Sequence, residues 1–499
     1  RHGQTNKAYQ FDGVDDFIDL NNPSILGTTN NFTILAWVNN GTGTIYGEFN
    51  AAAGNSRNYF KVSGNYLGLD QYFPSGGAVS SLEILELNQT NSWNLVGYVR
   101  AGSSWSFFVH GQLLNSGSNV ENYSGSTPNL GYIGARAYTY GGYSAGAKDF
   151  FTGSIDNVRI YNRALSSEEV SALYRLESPN HFAELNSTVD LEMIHVEPGT
   201  FTMGSPLTEA GRGTDETEHN VSLTKEFYLG KYEVTQAQYE AVMTGNSNGL
   251  NPNPSNWPNN PNRPVEKVSW DDIEIFLTRL NDAEYQAGRL PPGWAYTLPT
   301  EAQWEYACRA GTSSTYFWGY SINSTNTNYN QNIGQTQDVG EYAPNLWGFY
   351  DMHGNVFEWT ADLYGSYDLN LVVDPVGPSN GAIRVFRGGS LNNSNYFSRS
   401  AKRQYQSQSY RSETKGFRLA YVKTNQSPGD LNSTASLTVL ENQPVGSVVG
   451  EFNATDLDAN ATLTYHLISG AGDGNNSLFT LDQNGTLKTA VTFDYETNA

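Results

Sequence analysis

The sequence has 499 residues, with 50 Asp and Glu against 28 Lys and Arg and a formal net charge of −22. This length allows two to four domains. The acidic surface repels nucleic acid and anionic membranes and favours cations such as Ca²⁺, so we expect neither nucleic-acid binding nor membrane insertion. The single cysteine, Cys308, excludes a disulfide within the chain. Aromatic residues at 13%, with abundant Gly, Asn, Ser and Thr, indicate a β-rich secreted or cell-surface protein.

Residues 1–177 contain many short strand-like runs separated by Gly and Asn, which is typical of a β-sandwich. In residues 32–38 both alternating sets of side chains are largely apolar, which predicts a central strand buried on both faces. Ser166 and Glu169 form a capping-box sequence, and they predict one short amphipathic helix after the sandwich.

Two blocks of this first domain, residues 11–17 and 153–166, resemble the laminin-G-like, concanavalin-A-like jelly rolls of secreted bacterial proteins. The resemblance implies a Ca²⁺ that joins the first and last strands through Asp156 with Asp12 or Asp15; an exposed Gly-Asp turn is the alternative. A glycosidase would need a close pair of carboxylates, such as Glu-x-Asp-x-x-Glu, and the domain has no such motif. We therefore expect a carbohydrate- or protein-binding module.

A second domain is predicted at residues 189–422, after a short polar connector. Its helices are predicted from three capping pairs with apolar positions at helical spacing, namely Thr235 with Gln238, Ser269 with Asp272, and Thr300 with Gln303. Long Asn-, Pro- and Gly-rich segments between these helices predict a loop-rich domain.

Residues 346–360 form an aromatic run that contains two carboxylates, Asp351 and Glu358, with Gly354 between them. An unpaired buried carboxylate is costly, so each needs a partner. Ca²⁺ is one candidate, because it binds carboxylate and carbonyl oxygens and a Gly lets the chain curl around it. Pairing with Arg or with backbone N–H groups is the alternative.

This run resembles the Gly-Leu-Tyr-Asp-Met-x-Gly-Asn-Val-x-Glu-Trp signature of the formylglycine-generating enzyme, or sulfatase-modifying factor, family. Five further segments resemble motifs of that family in the same order: 198–205, 264–270, 298–306, 387–390 and 416–418. The resemblance implies a C-type-lectin-like α+β fold. It also implies structural Ca²⁺ at Asp351, Glu358 and the carbonyls of Gly354 and Val356, and a second Ca²⁺ near Asn328 and the carbonyl of Tyr329.

Members of this family that oxidise sulfatase cysteines bind copper through two cysteines after a Gly-Gly-Ser motif. In this sequence Asn393 and Ser398 occupy those positions by direct counting, so we expect no copper and no oxidase activity. Cys308 lies on the apolar face of a capped helix, where we expect a buried, inert thiol. The seven histidines show no His-x-x-x-His pair, so we expect no iron either.

The segment after Ser390 instead combines aromatic side chains with amides, a composition typical of binding surfaces. A solvated polar loop with a few buried tyrosines is the alternative. The predicted ligand-binding residues are Asn392, Asn393, Asn395, Tyr396, Phe397, Arg403 and Tyr405.

A linker at residues 423–435 precedes a third all-β unit, residues 436–499. Its Glu-Asn-x-Pro, Asp-x-Asp and Phe-Asp-x-Glu sequences resemble the calcium motifs of a cadherin-type repeat. The resemblance implies Ca²⁺ ligands at Glu441, Asp456, Asp458, Asp494 and Glu496. The final strands of such a repeat are missing from the sequence, so we expect this unit to be incomplete.

The sequence thus predicts a multidomain, mainly β protein: a jelly-roll sandwich, a loop-rich C-type-lectin-like α+β domain and an incomplete cadherin-like sandwich. We expect a secreted or surface-exposed bacterial adhesion or recognition protein, stabilised by Ca²⁺, that binds glycans or proteins. One alternative is a formylglycine-generating-type oxidase or another sulfatase-associated enzyme. Another is a subunit of a surface filament in which a second copy completes the last repeat by strand addition.

Overall fold

The computed structural model describes residues 8–20, 30–49, 57–63, 66–72, 78–79, 84–85, 93–118, 130–138, 146–368, 370–424, 429–433, 437–455, 463–468 and 473–494. The chain divides into two compact units, one formed by residues 1–280 and 296–421 and the other by residues 281–295 and 422–499. In the described ranges, no helix has the length and apolar character needed to cross a bilayer.

The first part of the chain forms a sandwich built around strand β3. The strands are Tyr9–Asp12 (β1), Ile18–Asp19 (β2), Asn31–Phe49 (β3), Arg57–Ser63 (β4), Tyr66–Tyr72 (β5), Ala78–Val79 (β6), Ile84–Leu85 (β7), Trp93–Ala101 (β8), Ser104–Val109 (β9), Gln112–Gly117 (β10), Leu130–Ile133 (β11), Arg136–Tyr138 (β12), Gly146–Lys148 (β13) and Thr152–Tyr161 (β14). The main path of pairing is β10-β9-β8-β3-β4-β5-β6, and β14 and β11 also pair with β3.

Strand β3 pairs with β8 and β14 over its first half and with β4 and β11 over its second half. Between the halves, Gly41 lies against the ring of Phe151, where a Cβ atom would stand 1.8 Å from a ring carbon. Alternate side chains of residues 32–38 enter two separate cores, with Ile34 in one and Trp37 in the other. The predicted central strand, buried on both faces, is confirmed.

Helix α1, Ser167–Glu177, begins with the predicted capping box. The Glu169 N–H donates to Ser166 Oγ at 3.2 Å, and the Ser166 N–H donates to Glu169 Oε2 at 2.9 Å. Tyr174 packs into the outer core of the sandwich, and its hydroxyl donates to Glu192 Oε1 at 2.9 Å. The helix therefore covers the sandwich and contacts the first long strand of the next domain.

The second domain is a set of small sheets with three helices among its described residues. Its elements are His181–Glu184 (β15), Asp190–Val196 (β16), Gly199–Met203 (β17), His219–Leu223 (β18), Phe227–Gly230 (β19), Gln236–Met243 (α2), Trp270–Gln286 (α3), Trp294–Thr297 (β20), Glu301–Arg309 (α4), Phe357–Leu363 (β21), Val372–Val373 (β22), Ile383–Arg387 (β23), Gln404–Ser407 (β24), Lys415–Phe417 (β25) and Ala420–Lys423 (β26). The sheet orders are β15-β16-β19-β26-β20, β17-β18-β22 and β24-β23-β21-β25.

All three predicted helix starts are confirmed. Thr235 and Thr300 cap α2 and α4 in capping boxes with the Gln three residues later. At α3, Ser269 and Asp272 exchange the same pair of bonds, at 2.9 and 3.2 Å. These caps fix the entry of each helix, and the apolar faces then bury against the sheets.

Strand β21 positions the aromatic run predicted to carry the site. It pairs antiparallel with β23 and parallel with β25, which places Glu358 opposite Arg387 on one side and Gly416 on the other. Because β21 is flanked on both sides, the carboxylate of Glu358 is held at the centre of the domain.

The second unit contains strands Gly429–Ser433 (β27), Val448–Thr455 (β28), Phe479–Leu481 (β29) and Thr486–Thr489 (β30), paired in the order β27-β28-β30-β29. The cadherin-type character of this unit stays a prediction. Asp456, Asp458 and Glu496 lie outside the described residues. The Asn442 N–H donates to the Phe493 carbonyl at 2.6 Å, so Glu441 and Asp494 each adjoin the same backbone hydrogen bond.

Candidate functional site

The fully buried carboxylate of Glu358 is bound on both oxygens. The Arg418 guanidinium donates from Nη2 to Oε1 at 2.7 Å and from Nε to Oε2 at 3.0 Å. The indole Nε1 of Trp304 also donates to Oε2, at 2.6 Å. A bidentate, charge-assisted pair of this kind is strong. For Glu358 the structure therefore shows the arginine pairing that the sequence left open as an alternative to calcium.

Two further carboxyl groups lie buried near this ion pair. Asp351 has a φ of 58°, and its Oδ2 accepts the Gly340 N–H at 2.7 Å. Burial raises the pKa of Asp351 to about 6. Burial, followed by repulsion from Asp351 and Glu358, raises the pKa of Glu233 well above its ordinary value. Three carboxyl groups thus interact with one guanidinium, and full ionisation leaves an excess of negative charge. We call Glu233, Asp351, Glu358 and Arg418 the carboxylate-rich cluster.

The loop between Asp351 and Glu358 is held tightly against its surroundings. The Gly354 N–H donates to the Gly388 carbonyl at 2.7 Å, and a Cβ on Gly354 would stand 2.3 Å from Thr327 Oγ1. The Val356 N–H donates to Glu233 Oε1 at 3.0 Å. Glu233 therefore orients the loop whose carbonyls are predicted calcium ligands. Sequence analysis missed this residue because it lies more than a hundred positions before the loop.

Asn328, predicted at a second calcium position, is fully buried. Its Nδ2 donates to the Gln335 carbonyl at 2.8 Å, whereas its Oδ1 accepts no hydrogen bond from the described residues. Thr336 Oγ1 is a second buried oxygen that has no hydrogen-bond partner among the described residues. The carbonyl of Tyr329 accepts one hydrogen bond, from the Asn332 N–H at 3.0 Å. Unsatisfied buried oxygens cost about 1–3 kcal/mol each, so a bound cation or water would stabilise this loop.

Both positions offer oxygen donors, which is the chemistry that Ca²⁺ prefers. At the first, Asp351, Glu358 and the carbonyls of Gly354 and Val356 would hold the ion. At the second, the donors would be Asn328 and the carbonyl of Tyr329. Both oxygens of Glu358 are bound by Arg418 and Trp304, so Glu358 would have to exchange one of these partners to ligate an ion, and calcium at both positions stays a prediction.

The acidic residues of the sandwich are only partly brought together. The carboxylates of Asp12, Asp15 and Asp16 lie within 4.8 Å of one another and are exposed. Asp12 faces Thr152 across β1 and β14, so Asp156 lies four positions further along β14. At about 3.3 Å per residue this is roughly 13 Å. The strand register therefore separates Asp156 from Asp12, whose carboxylate lies beside that of Asp15, contrary to the expected pairing of Asp156 with Asp12 or Asp15.

The segment after Ser390 forms a short 3-10 turn, Asn395–Ser398. Tyr396 and Tyr405 are 48% and 47% exposed. Asn392 is exposed as well, and the other predicted ligand-binding residues except Arg403 are half-buried: Asn393, Asn395 and Phe397. The Tyr405 ring stacks on Tyr364 with centroids 3.8 Å apart. The exposed side chains of this segment are thus Asn392, Tyr396 on the turn and Tyr405 on β24.

Arg403, expected on that surface, is instead 2% exposed. It binds both carboxylate oxygens of Glu301, each at 2.7 Å. Arg387 donates to Glu301 at 2.8 Å and also binds Glu305. We call Glu301, Glu305, Arg387 and Arg403 the arginine-paired cluster. Arg403 is therefore a structural residue and does not belong to the exposed part of this segment.

Cys308 is buried, as expected, and burial raises the pKa of its thiol to about 12. His353 lies 3.7 Å away, from Nε2 to Sγ. Its Nδ1 donates to the Ser398 carbonyl at 2.6 Å, and its Nε2 accepts the Phe317 N–H at 3.2 Å. Burial lowers the pKa of His353 to about 3. Both ring nitrogens therefore have backbone partners, Nδ1 at the turn and Nε2 at Phe317, and the imidazole is neutral.

This arrangement defines a sandwich of the lectin type followed by a domain of the formylglycine-generating class. Residues 12–171 match the concanavalin A-like lectin/glucanases superfamily. Residues 181–423 match the sulfatase-modifying factor enzyme 1-like domain, and this part of the chain belongs to that family. The predicted mainly β, multidomain fold is thereby confirmed for these two domains.

Three relatives illustrate the match. The formylglycine-generating enzyme of Mus musculus is 27% identical over 262 residues, covering 40% of this chain and 66% of the enzyme. That of Streptomyces coelicolor is 36% identical over 149 residues, covering 26% and 42%. Chaperone protein LppX of Paenibacillus barcinonensis is 30% identical over 225 residues, covering 35% and 72%. The chain thus spans less than two thirds of the length of either formylglycine-generating enzyme.

Proposed function

We propose that this chain is an extracellular bacterial recognition protein, stabilised by Ca²⁺, that binds glycans or proteins. In this proposal the formylglycine-generating-type domain is a binding domain without copper or iron. The observation that carries the proposal is the surface after Ser390. Tyr396 and Tyr405 are half exposed there beside amide side chains, and rigid aromatics flanked by amides are suited to desolvation on contact with a ligand.

The residues at the expected copper positions support binding rather than oxidation. Asn393 and Ser398 provide no thiolate, and the only thiol of the chain belongs to Cys308. That thiol is buried, and its raised pKa of about 12 keeps it protonated at neutral pH. A Cu(I) site of soft ligands therefore has no donors at this turn.

The test measures ligand capture by the full chain on arrays of glycans and of surface proteins. Replacing Tyr396 and Tyr405 together by Ala should abolish capture by the second domain. Tyr285→Ala is the matched control, because Tyr285 is also an exposed tyrosine and lies in the other compact unit. Because the sandwich is expected to capture its own glycans, we expect the double variant to lose some ligands and keep others; retention of every ligand, glycan and protein, at the native level would overturn the assignment of this surface.

An oxidase is the second candidate, favoured by the names of the relatives. Its test incubates the full chain with copper and a cysteine-containing sulfatase peptide, followed by mass spectrometry of the peptide. We expect no stoichiometric copper and no formylglycine. Formation of the aldehyde would establish the oxidase and would require a copper site without paired cysteines.

The sandwich contributes a second binding module in this proposal. The lectin superfamily match supports glycan binding, and the exposed group of Asp12, Asp15 and Asp16 offers oxygens to a cation. Glycan capture by this module should therefore be insensitive to the Tyr396 and Tyr405 variants. Release of reducing sugar from a captured glycan would show instead that the sandwich is catalytic.

A further inference from the structure

Two exposed loops of the second domain carry the same tripeptide, Asn-Ser-Thr. One occupies residues 186–188, in the hairpin between β15 and β16, and the other occupies residues 323–325, in the loop between α4 and β21. All three side chains are exposed in both loops. An Asn-x-Thr sequence on a surface loop is the acceptor for N-linked glycans in proteins that leave the cytosol. Both loops therefore present this motif in the context that modification requires.

Each tripeptide is folded into the same turn. Asn186 Oδ1 accepts the Thr188 N–H at 2.9 Å and the Thr188 hydroxyl at 3.1 Å. Asn323 Oδ1 accepts the Thr325 N–H at 2.8 Å and the Thr325 hydroxyl at 2.5 Å. Among the described residues, neither asparagine donates a hydrogen bond from its Nδ2. The oxygen of each amide is therefore engaged, while its nitrogen is open to an incoming group.

The turn affects the reactivity of the asparagine amide. An amide nitrogen is a weak nucleophile, because its lone pair is shared with the carbonyl oxygen. Loss of a proton from Nδ2 places negative charge on Oδ1, and hydrogen bonds donated to a charged oxygen are stronger than those to a neutral one. The N–H and hydroxyl of the threonine therefore stabilise the form of the amide whose nitrogen can attack.

Two other Asn-x-Ser/Thr sequences, which begin at Asn31 and Asn220, lie in strands β3 and β18. Thr33 is fully buried, and its hydroxyl donates to the Arg163 carbonyl at 3.0 Å. The exposed Asn220 accepts the Thr202 hydroxyl from the neighbouring strand on its Oδ1, at 3.4 Å. Because strand pairing keeps the backbone extended, neither of these sequences forms the turn.

We propose that Asn186 and Asn323 are acceptor sites for an N-linked glycan, transferred from a lipid-pyrophosphate-linked oligosaccharide by a membrane oligosaccharyltransferase. The asparagine Nδ2 forms a bond to the anomeric carbon of the first sugar. The bond from that carbon to the pyrophosphate oxygen breaks, the lipid pyrophosphate leaves with its electron pair, and one Nδ2 proton is released. No oxidant or reductant takes part. This modification is independent of the ligand that the surface after Ser390 binds.

The test incubates the full folded chain with a purified oligosaccharyltransferase that requires only the Asn-x-Ser/Thr sequence, together with its lipid-linked oligosaccharide donor. Peptide mass spectrometry measures the fraction of each asparagine that carries the glycan. Modification of Asn186 and Asn323 should be faster than that of Asn31 and Asn220 by about tenfold or more, since the strands must first open locally. An unmodified Asn186 and Asn323, or equal modification of Asn220, would overturn the proposal.

Two controls separate the effect of the fold from that of the motif. Short synthetic peptides that contain the Asn186 and the Asn220 sequences should both be modified, because neither is held in a strand. In the full chain, Thr188→Ser keeps the hydroxyl and should preserve modification of Asn186. Thr188→Val removes the hydroxyl and should abolish modification of Asn186 without affecting Asn323. Native levels of glycan on Asn186 in Thr188→Val would contradict the role assigned to the turn.

Discussion

The two buried ionic clusters of the second domain differ in the number of guanidinium groups available to each carboxyl group. In the arginine-paired cluster two carboxylates meet Arg387 and Arg403, and Glu305 also binds a third guanidinium group, that of Arg309. Although burial alone would raise the pKa of Glu301, the charges of Arg403 and Arg387 outweigh it and hold that pKa below its ordinary value. In the carboxylate-rich cluster three carboxyl groups share Arg418, and the pKa values of Asp351 and Glu233 rise. The first cluster is complete within the chain, whereas the second needs a proton or a cation.

The largest effect is expected in the complete cluster. Arg387→Met leaves Glu301 and Glu305 with one fewer cation in a fully buried setting, so we expect a loss of about 3–5 kcal/mol in the free energy of unfolding. Urea denaturation measures it. The control is Arg411→Met, because Arg411 pairs with Asp272 but is half exposed and should cost below about 1 kcal/mol. Similar losses in the free energy of unfolding for Arg387→Met and Arg411→Met would contradict the distinction between a fully buried and a half-exposed arginine.

A pH-dependent effect is expected at Asp362, beside the arginine-paired cluster. Burial, then repulsion from Glu301, raises its pKa to about 7, and its Oδ2 accepts the Glu301 N–H at 2.7 Å. The pKa of Asp362 is higher in the folded state than in the unfolded state. Its protonated carboxyl group therefore contributes stability that is fully present below about pH 4 and is lost as the pH rises through about 7. A shift of about three pK units corresponds to about 4 kcal/mol.

Asp362→Asn keeps an oxygen for the Glu301 N–H and removes the charge. The variant should match the native chain at pH 4 and exceed its stability at pH 8. Unfolding in urea at several pH values tests this. Parallel stability profiles for the two proteins would show that Asp362 titrates normally.

The carboxylate-rich cluster should respond to calcium. Chelation should lower the melting temperature of the second domain, because Asp351 and Glu233 then repel each other. Asp351→Ala should remove the response to calcium and cost about 3 kcal/mol when calcium is present. Glu233→Gln provides a second variant. In EDTA it removes the repulsion between Glu233 and Asp351, so it should raise the melting temperature. Superimposable calorimetric curves in calcium and in EDTA would contradict the prediction that calcium binds at this cluster.

The smallest effect is expected on the exposed surface. Replacing Tyr396 and Tyr405 by Ala removes the stack on Tyr364, so we expect a loss of about 1 kcal/mol in stability. Tyr239→Ala provides the contrast, because Tyr239 is buried and should cost about 3–5 kcal/mol. Thermal melts of the two variants decide whether the first pair belongs to the surface or to the core.

Much of the local structure followed from short patterns. The capping pairs at Ser166, Thr235, Ser269 and Thr300 start helices as predicted, because a cap satisfies backbone N–H groups within one turn. The buried strand at residues 32–38 was also predictable, since its side chains are apolar on both faces. Both features depend only on residues close together in the chain.

The partners of the charged residues were not predictable in the same way. Glu358 pairs with Arg418, which lies sixty positions later in the sequence. Arg403 pairs with Glu301, which lies about a hundred positions earlier. The register of β1 and β14 likewise separates Asp156 from Asp12. Such contacts depend on how strands are ordered and aligned, and the pattern of a single segment carries no information about that.

The sequence by itself determined the element types, the acidic charge and the lack of a second thiol, because these are properties of composition and of local backbone chemistry. Only the tertiary structure decided which carboxylates have arginine partners and which do not. It also decided that Arg403 is buried while Tyr396 and Tyr405 face solvent. The physical reason is that desolvation and charge pairing act between atoms that are close in space, whatever their separation along the chain.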